Sequence, residues 1–194
     1  MVVLIDQDGP LANWEYEFLR RWRYLYPQLP FVDLDRRRNF HAVNDYEDLA
    51  ETPVERRAMR LRVEGIYCAA GFYENLPVVE GAVEAVMEML EHGYDIRICT
   101  SPMKNYRNCV LEKYEWIDRH FGPDLTRRTI LTRDKAIIHG DVLIDDSPAP
   151  SQIGNRTPAW EHVVYDAPYN RQVDGRRRIK NWRDWQPILD RHSA

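Results

Sequence analysis

The chain has 194 residues, 44% of them hydrophobic, and a formal net charge of −4. This length carries one good-sized core, or a core with a small insert, and the apolar share excludes a disordered chain. The acidic balance speaks against a nucleic-acid polymer as partner, and with no secretory pattern and no apolar run near about 18 residues, a cytoplasmic protein that meets no membrane is expected.

The chain opens on Val2-Val3-Leu4-Ile5, which predicts a strand buried on both faces, as in a parallel sheet. Asp6-Gln7-Asp8-Gly9 follows at once. The two carboxylates share one side of the two-residue period, and the glycine lets the chain turn. Leu11, Trp14, Phe18, Trp22 and Leu25 recur every three or four positions and predict an amphipathic helix, ended by Pro27 and Pro30. The charge-rich stretch 31–73 reads as two or three short helices. One covers 53–67, with Thr52 as N-cap and Pro53 in the first turn. Residues 15–75 are therefore expected to form a helical insert.

Strand and helix then alternate. A helix is expected over 78–92, closed by Gly93, then a strand over 94–99. A second helix over 106–121 is stopped by Gly122-Pro123, and brief strands follow at 129–131, 142–144 and 162–165, the last of the sheet. The proline-rich stretch 147–158 reads as an irregular loop, the basic run 176–180 as a solvated connection, and 181–192 as a terminal helix. Trp116, Trp182 and Trp185 read as core. The alternation argues for an α/β, doubly wound parallel sheet. Cys68, Cys99 and Cys109 show no CxxC spacing and no histidine lies in an HExxH pattern, which fits a reducing compartment and speaks against zinc.

Polar residues fall at successive strand ends: Asp6 and Asp8, then Thr100 and Ser101, then Lys135, then Asp145 and Asp146. In open α/β sheets ligands bind beyond the carboxyl ends of the strands. Four carboxylates converge only around a cation, and oxygen ligands select a hard ion such as Mg2+. A carboxylate nucleophile, a metal, an ammonium and a hydroxyl together suit a phosphate ester. Asp6 would attack phosphorus and form a phospho-aspartate, and Asp8 would serve as acid and base. Trp14, Phe40, Tyr46, Phe72 and Tyr73 are candidates to stack a base.

The strings DQDGPLANW at 6–14, ICTSP at 98–102, EKY at 112–114, ILTRDK at 130–135, LIDD at 143–146 and PAWEH at 158–162 resemble the 5'(3')-deoxyribonucleotidase family of the haloacid dehalogenase (HAD) superfamily. The resemblance spans nearly the whole chain and is densest beyond Gly71. It implies a Rossmann-like core (1–14 and 76–194) with a small helical cap (15–75), usually dimeric, hydrolysing nucleoside monophosphates with Mg2+. By position it implies Asp6 as nucleophile and Asp8 as acid/base. It implies a metal held by the Asp6 side chain, the Asp8 backbone carbonyl and Asp145, with Asp146 in support. Thr100, Ser101, Lys104 and Lys135 would hold the phosphate, and Trp14, Phe40, His41 and Phe72 would surround the base and sugar. Pro10 stands where the family commonly has valine, and Trp14 and His41 replace other residues of the pocket, which leaves base preference open. Two other readings remain: a phosphatase of another small phosphomonoester, and a non-catalytic nucleotide-binding module.

Overall fold

The structure is a computed structural model that describes residues 1–150 and 153–190. Six strands form one sheet in the order β3-β2-β1-β4-β5-β6: β1 (Val2–Ile5), β2 (Asp95–Thr100), β3 (Ile130–Leu131), β4 (Val142–Asp145), β5 (Glu161–Tyr165) and β6 (Arg178–Ile179). Every pairing is parallel. The chain builds β2 and β3 on one side of β1, then crosses to lay β4, β5 and β6 on the other. The strand order thus reverses at β1, the place where doubly wound sheets open a crevice.

The run Val3-Leu4-Ile5 is fully buried because helices and loops cover both faces of the strand. Alternation sorts the strands into two unequal faces. Val3, Ile5, Ile96, Ile98, Val142 and Ile144 join the large core, with α4 (Ala82–Glu91) and α5 (Cys109–Arg127). Leu4, Cys99 and Leu143 face a small cluster closed by Trp160.

Between β1 and α4 stand α1 (Trp14–Leu25), α2 (Ala42–Glu47) and α3 (Pro53–Tyr67). The α1 helix begins at Trp14, with Asn13 as N-cap; Leu11 belongs to the preceding turn. Thr52 and Glu55 close a capping box on α3, with Pro53 at its start, as the sequence predicts. Phe18, Trp22, Tyr46 and Val63 share one continuous core with the sheet. None of the described helices is long and apolar enough to cross a membrane.

Five expectations are corrected. The α4 helix starts at Ala82 rather than near 78, because Val78 and Val79 bind back to the Ala12 and Leu11 backbone. The α5 helix does not end at Gly122-Pro123: Gly122 breaks it at φ 77 and Pro123 starts a further turn to Arg127. β5 is not the last strand. Arg178-Ile179 adds β6, and arginines of the basic run are paired rather than solvated, Arg177 with Glu161 and Arg178 with Asp166. The terminal helix is a 3-10 turn (Trp182–Asp184) followed by a short α6 (Trp185–Leu189), while 191–192 lie outside the described residues. The loop 147–158 is irregular where described.

Candidate active site

Asp6 follows β1 directly, and its amide donates to the Ile144 carbonyl of β4 at 2.9 Å. The turn then closes on itself: the Leu11 and Ala12 amides donate to the Gln7 carbonyl, at 3.1 and 2.7 Å. Gly9 sits at φ +93, and a Cβ there would stand 2.3 Å from Asp146 Cγ. Only glycine permits both that backbone and that approach. Pro10 is accommodated, since its carbonyl accepts the Trp182 indole N–H at 2.7 Å.

The two faces of the sheet each send one buried lysine to this edge. Lys135 comes from the small-cluster side, where Trp160 donates to its carbonyl. Its Nζ lies 2.7 Å from Asp145 Oδ2 and 3.1 Å from Asp6 Oδ2. Burial alone would lower this ammonium, but Asp145 and Asp6 outweigh it and raise the pKa. Lys113 comes from α5 on the large-core side. Its Nζ lies 2.7 Å from Asp8 Oδ2 and 3.0 Å from Thr100 Oγ1.

Asp6 and Asp8, neighbours in one motif, are thus divided between two lysines. Burial raises both carboxyls above the ordinary value, against the pull of Lys135 on Asp6 and of Lys113 on Asp8. Asp6, Asp145 and Asp146 each offer an oxygen, all within 4.8 Å of one another. Asp146 therefore stands among the clustered acids rather than behind them. Its carboxyl is raised well above the usual range by burial and by its two neighbours. Around this group the Ser147 amide donates to Asp145 Oδ1 at 2.8 Å, and the Tyr169 hydroxyl donates to Asp146 Oδ2. His162 Nδ1 accepts from Arg176 and its Nε2 meets the Asp145 carbonyl at 3.2 Å. That pattern describes a neutral imidazole protonated on Nε2.

Thr100 ends β2 fully buried, and Ser101 Oγ donates to the Thr132 carbonyl at 2.9 Å. Lys104 is exposed in the following loop. The aromatic candidates separate. Phe40 is 39% exposed and meets His41 and Tyr169 edge-on. His41 is exposed at the start of α2. Trp14 is half-buried, stacked on Phe18 at 5.0 Å and edged by Phe72. Phe72 has no exposed surface, so it braces Trp14 from behind.

Lys113 and Tyr169 are the polar groups at this edge that strand-end reading passes over. Lys113 shares the buried face of α5 with Cys109, Trp116 and Ile117 but stands at no strand end, and Tyr169 lies in a short turn (Pro168–Asn170) with no period to read. The EKY string contains Lys113 but gives it no role.

The family described as "5' nucleotidase, deoxy (Pyrimidine), cytosolic type C protein" matches residues 1–192. A Bordetella pertussis protein provisionally named 5'(3')-deoxyribonucleotidase is 46% identical over 189 residues, 97% of this chain and 95% of its own. The Homo sapiens cytosolic-type 5'(3')-deoxyribonucleotidase is 40% identical over 193 residues, 97% of this chain and 92% of its own. Among solved structures, the Bacillus subtilis HAD hydrolase YfnB, bound to magnesium, superposes with a TM-score of 0.61 at 13% identity, covering 97% of this chain and 98% of that one. The last likeness bears on the fold alone. On the family match and these identities, the chain belongs to the 5'(3')-deoxyribonucleotidase family.

Proposed function

We propose that this phosphoric monoester hydrolase removes phosphate from deoxyribonucleoside monophosphates, with Mg2+ as cofactor and Asp6 as the group that carries the phosphoryl in passing. The observation that carries this reading is the Asp6 carboxylate. It pairs with Lys135, joins Asp145 and Asp146 in a buried cluster, and ends the strand at which the sheet order reverses. The donor set fits the ion: all three side chains are carboxylates, hard ligands suited to Mg2+, and Asp146 Oδ1 is buried with no hydrogen-bond partner. Asp6, Asp145 and Asp146, with the Asp8 backbone carbonyl, would hold it. When bound, Mg2+ supplies positive charge against both the clustered acids and the incoming phosphate.

The chain's own groups divide the remaining work. Lys135 and Thr100, with Ser101 and Lys104, hold the phosphate oxygens. An Asp6 oxygen attacks phosphorus. The ester P–O bond breaks, and its electron pair leaves on the nucleoside oxygen, which takes a proton from Asp8. Burial keeps Asp8 protonated to higher pH, which suits that task. Water then attacks phosphorus and gives its proton to Asp8, the bond to Asp6 breaks, and inorganic phosphate departs. Lys113 orients the Asp8 carboxyl from behind.

Residues 15–75 act as the cap, and Trp14, Phe40 and His41 wall the base. The pyrimidine of the family description supports a preference for deoxypyrimidine nucleotides, and the cytosolic-type relative supports a cytoplasmic location.

Phosphate release from 5' and 3' deoxyribonucleotides, ribonucleotides and sugar phosphates tests the reading. Deoxypyrimidine monophosphates should be fastest, and a chelator should abolish release. Sugar phosphates in first place would sink the nucleotidase assignment, and turnover that survives the chelator would sink the role of Mg2+.

A further inference from the structure

Tyr169 is 3% exposed and touches two parts of the molecule at once. Below, its hydroxyl donates to Asp146 Oδ2. The opposite oxygen, Oδ1, is buried and has no hydrogen-bond partner. Above, the Arg37 guanidinium lies 5.6 Å over its ring, and the Phe40 ring meets it at 5.8 Å with the planes 72° apart.

Both neighbours belong to one prebuilt arm. Asp45 of α2 accepts from Arg37 Nε at 2.6 Å, from Asn39 Nδ2 at 2.7 Å, and from the Arg38 and Asn39 amides at 3.2 and 3.3 Å. Arg37 also pairs with Glu15 and donates to the Asn39 carbonyl at 2.9 Å. A single carboxylate thus gathers residues 37–39 into a fixed shape and carries Phe40 with them.

The turn beneath is equally fixed. Asn170 Nδ2 donates to the Asp146 and Tyr165 carbonyls, each at 2.8 Å, and Arg178 Nη1 donates to Asn170 Oδ1 at 2.6 Å. Two rigid bodies therefore meet across one phenol ring, and that phenol ends on a member of the acidic cluster.

We propose that Tyr169 is a positioning residue that links seating of the 37–40 arm to the acidic cluster: its ring is held under Arg37 and Phe40, and its hydroxyl fixes Asp146 so that Oδ1 is left for the cation. This rests on the reading of Asp6, Asp145 and Asp146 as a Mg2+ site. An outer hydrogen bond of this kind orients a ligand that would otherwise rotate. Seating of the arm and uptake of the ion then favour each other, because each holds the phenol where the other needs it.

The test uses the full-length protein and its Tyr169→Phe, Phe40→Ala and doubly substituted forms. Mg2+ binding is measured by titration calorimetry without substrate, beside Mg2+ half-saturation, KM and kcat for phosphate release from thymidine 5'-monophosphate. Tyr169→Phe keeps the ring and removes the hydroxyl, and circular dichroism checks its fold. It should weaken Mg2+ binding roughly tenfold, with KM at saturating Mg2+ unchanged. Phe40→Ala should weaken it about threefold in the wild type and not at all in Tyr169→Phe, the signature of a shared element. Tyr169→Phe within twofold of wild type overturns the positioning role. A Phe40→Ala effect that is absent, or that persists in full without the hydroxyl, overturns the link. A wild type that takes up no Mg2+ overturns the cation site itself, which separates that failure from the other two.

Discussion

At the carboxyl ends of β1 and β4, charge is held by charge: Lys135 lies between Asp6 and Asp145, and Lys113 reaches Asp8. In the helical segment between β1 and α4, ring is held by ring. Trp14 stacks on Phe18, Phe18 meets Trp22 and Tyr46, and Arg37 with Asp45 forms a separate buried ion pair. The difference sets what each region tolerates. A charge removed from the sheet edge leaves its partner buried and unmatched, which costs several kcal/mol and shifts the neighbours' titration. A ring removed from the half-exposed arm loses contact area and uncovers no charge, so it reaches the chemistry below only through the hold of Tyr169 on Asp146. Changes at the sheet edge should therefore appear in kcat and in pH dependence, and changes in the arm should appear in KM.

The sharpest way to break this division is Asp6→Asn, which should lower turnover by about 10^4-fold or more, read as phosphate release with Mg2+. Loss of less than a tenth would remove Asp6 from the chemistry. Next is Lys113→Met, expected to lower kcat by roughly 100-fold. Its pH profile is the stricter measurement. The Lys113 ammonium opposes the upward push of burial on Asp8. Without it the carboxyl keeps its proton to higher pH, so the basic limb of kcat/KM should move up. A limb that stays in place would separate Asp8 from the acid role.

A smaller effect is expected at His162, whose ring burial lowers the pKa from 6.5 to about 4. A folded value below the unfolded one means that stability is present above pH 6.5 and is lost as pH falls toward 4. Wild type should lose about 2 kcal/mol to this group over that window, allowing for the part of the ring that water reaches. His162→Gln should escape that loss in urea melts at pH 7 and pH 4.5. Equal acid sensitivity in both proteins would count against a neutral, buried imidazole. Smallest is Phe40→Ala, which should raise KM about tenfold, within the range of one base stack, and leave kcat at saturating Mg2+ within about twofold. A large fall in kcat instead would show that the arm reaches the chemistry directly.

Much of the sheet edge is legible in the sequence because it obeys two simple rules. Strands announce themselves by apolar runs, and Asp6, Thr100 and Asp145 fall at their ends. Lys113 escapes such reading because it stands at no strand end; it shares the buried face of α5 with Cys109, Trp116 and Ile117, and its partner Asp8 comes from the distant turn after β1. The strand Arg178–Ile179 escapes because two residues carry no period, and Arg177 and Arg178 look solvated until Glu161 and Asp166 are brought beside them. Phe72 reads as a ligand wall because pattern marks a ring as apolar and says nothing of depth. Each of these depends on which distant segments come together, and spacing along one segment does not contain that.

The α5 helix bears two neighbours with unlike duties. Glu112 accepts the Gly71 and Tyr73 amides, at 2.9 and 3.0 Å, where the chain re-enters the sheet half of the molecule, and Lys113 grips Asp8. One residue inserted between 109 and 112 would swing both side chains by about 100° around the axis. The anchor of the returning chain and the grip on Asp8 would be lost together. Insertions past Gly122, where the helix already breaks, would spare both. Length variation in this molecule is thus confined by a single helical phase, however freely the surface loops drift.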